Sequence, residues 1–211
     1  MPNTGNIVAL HQTQISAKLP PKKPRNADIR PREYLTTHEV EQLIKAAKLG
    51  RHGHRDATLI LLMYRHGLRV SEAVALRWDQ VDLKQGLVTV NRAKNGQNGV
   101  HPLSGRELRA LRQLKRENSG NPFVFLSERG TPMTARNVRT LVKNAGERTR
   151  MEFPVHPHQL RHGCGYKLIN NGVDVRTVQQ YLGHTSIKQH RDLHKVGQPS
   201  IQWLVERLTW R

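Results

Sequence analysis

The run Leu59-Ile60-Leu61-Leu62-Met63-Tyr64 places the tightest limit on the fold: six successive apolar residues in a chain of which only 36% is hydrophobic. It is far short of the roughly 18 residues needed to cross a membrane. With Asp56 before it and His66-Gly67 after it, the segment reads as a helix over about 56–66, apolar on every side and stopped by the glycine. A helix without a polar face must be surrounded by other elements.

The flanking segments supply such elements. Thr36 and Glu39 form a capping box ahead of Val40, Leu43, Ile44 and Ala47, which share one helical face, and Gly50 is placed to stop that helix. Ser71 is an N-cap candidate for a short helix through Ala75 and Leu76, with Trp78 packing at its end, so 67–71 is a tight joint between two helices. Leu87-Val88-Thr89-Val90 alternates, and an extended pattern resumes over 100–103 after the turn signals Asn95-Gly96 and Asn98-Gly99, predicting a β-hairpin with Lys94 near its tip. A helix over about 105–117, a short strand over 123–126, a helix capped by Thr134, and helices over 158–170 and 174–181 complete the pattern. The predicted fold class is mainly α with a small antiparallel β-sheet, an α+β architecture.

With 35 Lys and Arg against 16 Asp and Glu, the formal charge is +19. That excess points to a polyanionic partner, with DNA or RNA first. A membrane surface is the competing polyanion, but no apolar stretch reaches spanning length and the first residues lack a signal-peptide core, so a cytoplasmic, nucleoid-associated protein is expected. The single cysteine, Cys164, excludes an internal disulfide and reads as a buried structural thiol. Residues 1–33 carry five prolines, six basic and two acidic residues without sustained periodicity. They read as a flexible basic arm, either an ordinary tail or a DNA-contacting one through Lys22, Lys23 and Arg25.

Three separated segments place basic side chains at element ends: Arg69 with Glu72, then Lys94, then His158, Arg161 and His162 followed by His184. Singly, each is an ordinary surface or salt-bridged residue. Together they match the needs of phosphoryl transfer, in which forked guanidinium groups hold the nonbridging oxygens and a lysine or imidazole handles the leaving-group proton. Arg65 and Arg136 are further candidate DNA contacts. A metal site built from His156, His158 and His162 lacks a carboxylate or cysteine at ligand spacing and would set Arg161 beside the metal, so no metal is expected.

The strings GLRVSEAVALRWDQVD at 67–82, HPHQLRHGCGYKL at 156–168 and QQYLGHTSI at 179–187 closely resemble the tyrosine recombinase, or phage integrase, family. With FVFLSERGTPMT at 123–134 and no large N-terminal domain, the chain is most similar to the small recombinases that invert fimbrial promoter elements. The resemblance covers about 34–189. It implies that Arg69, Lys94, His158, Arg161 and His184 are catalytic, with Lys94 protonating the leaving 5′ oxygen and Glu72 supporting Arg69. It further implies a double-stranded DNA substrate, a homo-oligomer on DNA (a tetramer in the family), and no metal or nucleotide cofactor, because a 3′-phosphotyrosine bond conserves the energy of the broken phosphodiester.

The family's nucleophilic tyrosine follows the Leu-Gly-His motif by nine residues, a count that lands here on Leu193. Tyr166 and Tyr181 read as packing residues. His190-Arg191-Asp192-Leu193-His194 can be encoded by CAC CGN GAY YTA CAY, and the frame one nucleotide later reads Thr, a variable residue, Ile or Thr, Tyr, then Thr or Ile. That is the family's missing pattern. A frameshift near Gln189 would account for the lost tyrosine and for a tail, 190–211, unlike the family. Two readings stay open: a recombinase that cleaves and religates DNA, impaired at its nucleophile, and a noncatalytic DNA-binding protein of recombinase descent.

Overall fold

In a computed structural model of the chain, the described residues are 32–92 and 98–183. The fold is mainly helical with one small sheet. Helix α1 (Thr37–Lys48) starts at the expected capping box: the Glu39 amide donates to the Thr36 hydroxyl at 3.3 Å, and the Thr36 amide donates to the Glu39 carboxylate at 2.8 Å. Its apolar stripe of Val40, Leu43, Ile44 and Ala47 packs onto α2 (Gly53–Arg65). Leu59, Ile60, Leu62 and Met63 are fully buried, as the unbroken apolar run requires. Each such side chain contributes about 1.5–3 kcal/mol through burial.

The short helix α3 (Val70–Val74) is followed by a 3-10 turn (Trp78–Gln80) and a three-stranded antiparallel sheet: β1 (Val81–Asp82), β2 (Leu87–Val90) and β3 (Gly99–Pro102), in that order. In register, Val88 faces Val81 on one side and His101 on the other. Helices α4 (Gly105–Glu117), α5 (Ala135–Thr149), α6 (Pro157–Asn170) and α7 (Val175–Leu182) follow. Helices α4 and α6 pack on α2, and α5 packs on α1 and α3, so α2 occupies the centre. Among the described residues, no helix is long and apolar enough to cross a membrane.

Two local readings are corrected. The N-cap of α3 is Arg69 rather than Ser71, because Glu72 turns back to accept the Arg69 amide at 2.8 Å. The strand expected over 123–126 is instead an extended segment stitched to several partners: Phe123 bridges Arg77, the Val124 amide donates to the Leu76 carbonyl, and Leu126 bridges Pro132. With no continuous partner strand, it forms no ladder.

A second apolar cluster, Cys164, Leu168, Val173, Val178, Tyr181 and Leu182, joins α6 to α7. Cys164 is fully buried, and burial pushes its thiol up to about 12, as suits a structural residue. The turn after α2 needs its glycine. Gly67 has φ +56°, and a Cβ there would lie 2.3 Å from a Leu182 methyl. Gly67→Ala is expected to cost about 1–3 kcal/mol, read as a lower urea midpoint; an unchanged midpoint would show that the turn and Leu182 yield freely.

Candidate active site

The separate basic segments meet on one carboxylate. Glu72, in the first turn of α3, has a side chain only 1% exposed, and its Oε1 accepts from Arg69 Nη1 at 2.8 Å. Its Oε2 accepts from the Arg69 amide and from Arg92 Nη1, each at 2.8 Å, and lies 4.0 Å from Arg161 Nη1. Burial opposes the Glu72 charge, but the Arg69 amide and the Arg92 guanidinium outweigh it and hold the carboxyl below its usual range. Among the described residues, three guanidinium groups around one carboxylate leave an excess of two positive charges. Such a centre is built to take an anion.

Arg161 comes from the second turn of α6. One terminal nitrogen donates to the Gly67 carbonyl and the other to the Leu182 carbonyl. Among the described residues these two bonds leave three of the five guanidinium donors open. Burial first, then repulsion from Arg69 and Arg92, draws its pKa down to about 10, so it stays charged at neutral pH. Arg69 keeps one third of its side-chain surface exposed, so it meets the Glu72 carboxylate while still facing solvent.

His158, one turn before Arg161, stands exposed at the N-terminal end of α6, where the helix dipole also favours an anion. Its ring meets that of His162 edge to face, with centroids 4.4 Å apart. Burial, then His162 and Arg161, lower the His158 pKa, so at neutral pH it is an uncharged imidazole able to accept or donate one proton. The structure thus brings together Arg69, Glu72, His158, Arg161 and His162. Lys94, His184 and Leu193, and the arm residues Lys22, Lys23 and Arg25, lie outside the described residues.

Arg136 is exposed in the first turn of α5, the helix that packs on α3. Arg65 is a correction. It was expected among the DNA contacts, yet it is turned inward, 9% exposed, bonding Ser104 Oγ and lying 3.4 Å from Glu107. The last turn of α2 continues its buried phase against the start of α4, so this arginine has no free face.

Arg92 was not singled out from sequence. Its side chain is fully buried and donates to Glu72 and to the carbonyls of His66, Gly67 and Tyr181. A signal was present: strand alternation places 92 on the same inward side as Val88 and Val90, both buried. Beneath it lies a second polar group, with His66 2.9 Å from Glu107 and His101 stacked on Tyr181 at 3.9 Å.

All four tyrosines of the chain are in the described residues. Tyr64 is buried with its hydroxyl 3.1 Å from Thr37 Oγ1, and Tyr181 is buried with its hydroxyl donating to the Arg65 carbonyl at 3.0 Å. Burial raises both pKa values, that of Tyr64 to about 12. Tyr166 stacks on Tyr34 with centroids 3.9 Å apart. Five residues beyond Arg161 on α6, it is turned by about 140° from that side chain.

The phage integrase family model matches residues 33–192. The chain belongs to the phage integrase family. Among curated relatives, the type 1 fimbriae regulatory proteins FimB and FimE of Escherichia coli K12 are each 38% identical. The FimB match covers 77% of this chain and 84% of that protein, and the FimE match 74% and 82%. Tyrosine recombinase XerC of Xanthomonas campestris is 36% identical over 79% of this chain and 51% of its own length. Among solved structures, XerA recombinase is similar at a TM-score of 0.64 and 26% identity, covering 72% of this chain and 56% of that one. The chain therefore spans a little over half of that recombinase. A lambda integrase dimer bound to a COC' core site, 19% identical with a TM-score of 0.61 over 78% of this chain and 51% of that one, shares the fold. The expected fold class and family membership both hold.

The site also predicts a pH response. His101 is buried, and burial, then His66 and Arg92, push its pKa well below the usual imidazole value. The unfolded chain protonates this histidine and His158 near pH ~6.5 while the fold keeps them neutral, so stability falls as pH drops through that range. Glu72 and Glu107 are carboxyls with lowered pKa values, so their contribution is present above about 4.5 and is lost at lower pH. Melting temperature against pH should fall in two stages. In His101→Phe, which keeps a ring against Tyr181, the upper stage should shrink; an unchanged upper stage would count against burial of a neutral His101.

Proposed function

We propose that this chain binds double-stranded DNA and holds one backbone phosphate between Arg69 and Arg161, with His158 as the neighbouring proton-handling group. The observation that carries this reading is the convergence of three arginines on Glu72, which leaves a fixed excess of positive charge beside a neutral imidazole. Two DNA-bound arginines would grip the nonbridging oxygens, whose negative charge grows as phosphorus becomes pentacoordinate.

In the family reaction a tyrosine hydroxyl attacks phosphorus as its proton passes to a base, here His158, the bond to the 5′ oxygen breaks, and that oxygen takes a proton from the hairpin lysine, a role that falls to Lys94. Religation reverses these steps, so no external energy source is consumed. His184 would add a donor to the same phosphate. With leucine at 193, and the four tyrosines packed elsewhere as described, we propose that the chain as it stands binds DNA in the recombinase manner without cleaving it, in the cytoplasm and as an oligomer weakened by its aberrant tail. The frameshift account is tested on the gene: the shifted frame must contain a tyrosine codon at 193, and its absence ends that account.

A duplex-binding titration against salt tests the main reading. Affinity should fall steeply with log salt, as release of counterions from several phosphates requires. Salt-insensitive or undetectable binding would contradict it.

A further inference from the structure

We infer that Arg92 is a positioning residue that holds Glu72 off Arg161 and so keeps Arg161 free for phosphate, an inference that rests on the proposed DNA reading for its purpose but not for its geometry. Glu72 Oε2 is claimed by two donors, the Arg69 amide and Arg92 Nη1, each at 2.8 Å, while Arg161 Nη1 waits 4.0 Å away. Arg92 contacts no solvent and so touches no DNA itself. Its two terminal nitrogens also donate to the carbonyls of His66, Gly67 and Tyr181, which locks its fork between the end of α2 and the end of α7.

Gly183 completes the lock: a Cβ there would lie 2.6 Å from Arg92 Cγ, so only glycine leaves room for the arginine stem. At the base of the hairpin, the Arg92 amide donates to Asn98 Oδ1 at 2.9 Å. If Arg92 were removed, a carboxylate buried to 1% exposure would lose a hydrogen-bonded cationic partner, and among the described residues the Arg161 guanidinium, at 4.0 Å, stands ready to close on it. An ion pair between them would occupy donors that a phosphate needs and cancel one of the two excess charges.

The test compares Arg92→Met, the double variant Arg92→Met with Glu72→Gln, and Arg92→Lys. The first readout is the Nε–Hε NMR signal of Arg161 in the DNA-free protein. In Arg92→Met this signal should move, and in the double variant, where no carboxylate remains to attract it, it should return toward the wild-type position. Arg92→Lys keeps a charge opposite Glu72 and should leave Arg161 near its wild-type position. It also serves as the deciding variant if Arg92→Met does not fold.

The second readout is duplex binding. Arg92→Met should bind about tenfold more weakly with a salt slope smaller by about one, and the double variant should recover most of that loss. A structural role alone would lower stability in every variant and give no recovery in the double one. An Arg161 signal unmoved in Arg92→Met, moved in Arg92→Lys as far as in Met, or not restored in the double variant would overturn the inference. Failure of the wild-type chain to bind duplex would instead count against the DNA reading, with the NMR result still deciding the role of Arg92.

Discussion

Glu72→Leu is expected to remove about 3–5 kcal/mol of folding stability, the largest loss of any single substitution near the site. The magnitude follows from what the carboxylate leaves behind. Arg92 has no exposed side-chain surface and Arg161 has 4%, so neither can turn to water when its counter-charge is lost. The α3 N-terminus loses its cap in the same substitution, because the Glu72 carboxylate also accepts the Arg69 amide. The measurement is urea denaturation at neutral pH and fixed protein concentration. A loss below about 1 kcal/mol would mean that the arginines find other partners and that Glu72 is not their common anchor.

Arg161→Ala should separate catalysis from binding. On duplex DNA the variant is expected to lose one phosphate contact among many, so that the salt slope falls by about one and affinity falls modestly. In a version of the chain with its reading frame restored, so that tyrosine stands at 193, the same substitution should reduce covalent trapping by about 10²–10³-fold. That is the usual effect of removing one donor from a developing oxyanion. Stability should also drop by about 1–3 kcal/mol, since the carbonyls of Gly67 and Leu182 lose their charged donor. Equal losses in binding and trapping would remove Arg161 from the reacting phosphate.

Much of the fold was legible because local rules and tertiary packing agree. The capping box at Thr36 and Glu39 starts α1, and the unbroken run from Leu59 to Tyr64 became the central helix. Where the two levels differ, the reading slipped. The segment 123–126 has strand composition, yet it finds a different partner for nearly every residue. Ser71 is a good cap by type, but a buried Glu72 that must accept hydrogen bonds moves the start of α3 to Arg69.

At the site, Arg69, Glu72, His158 and Arg161 could be found because each sits in a motif with a chemical reason for its spacing. Arg92 could not be found that way. Strand alternation turns it inward, but its partners, three carbonyls and a carboxylate, are brought from 66–72 and from 181, which no local pattern announces. Arg65 misled in the opposite direction: a positive charge at a helix end looks like a DNA contact until Ser104 and Glu107 are seen to enclose it.

Covalent trapping on a nicked duplex carrying a recombination site, read on a denaturing gel beside a salt titration of noncovalent binding, separates DNA binding from DNA cleavage in this chain. The chain with Leu193 should show salt-sensitive binding and no DNA-linked band, and a DNA-linked band should form once the frame is restored and tyrosine stands there. A DNA-linked band formed by the chain as it stands would contradict this expectation, by showing that another residue serves as the nucleophile.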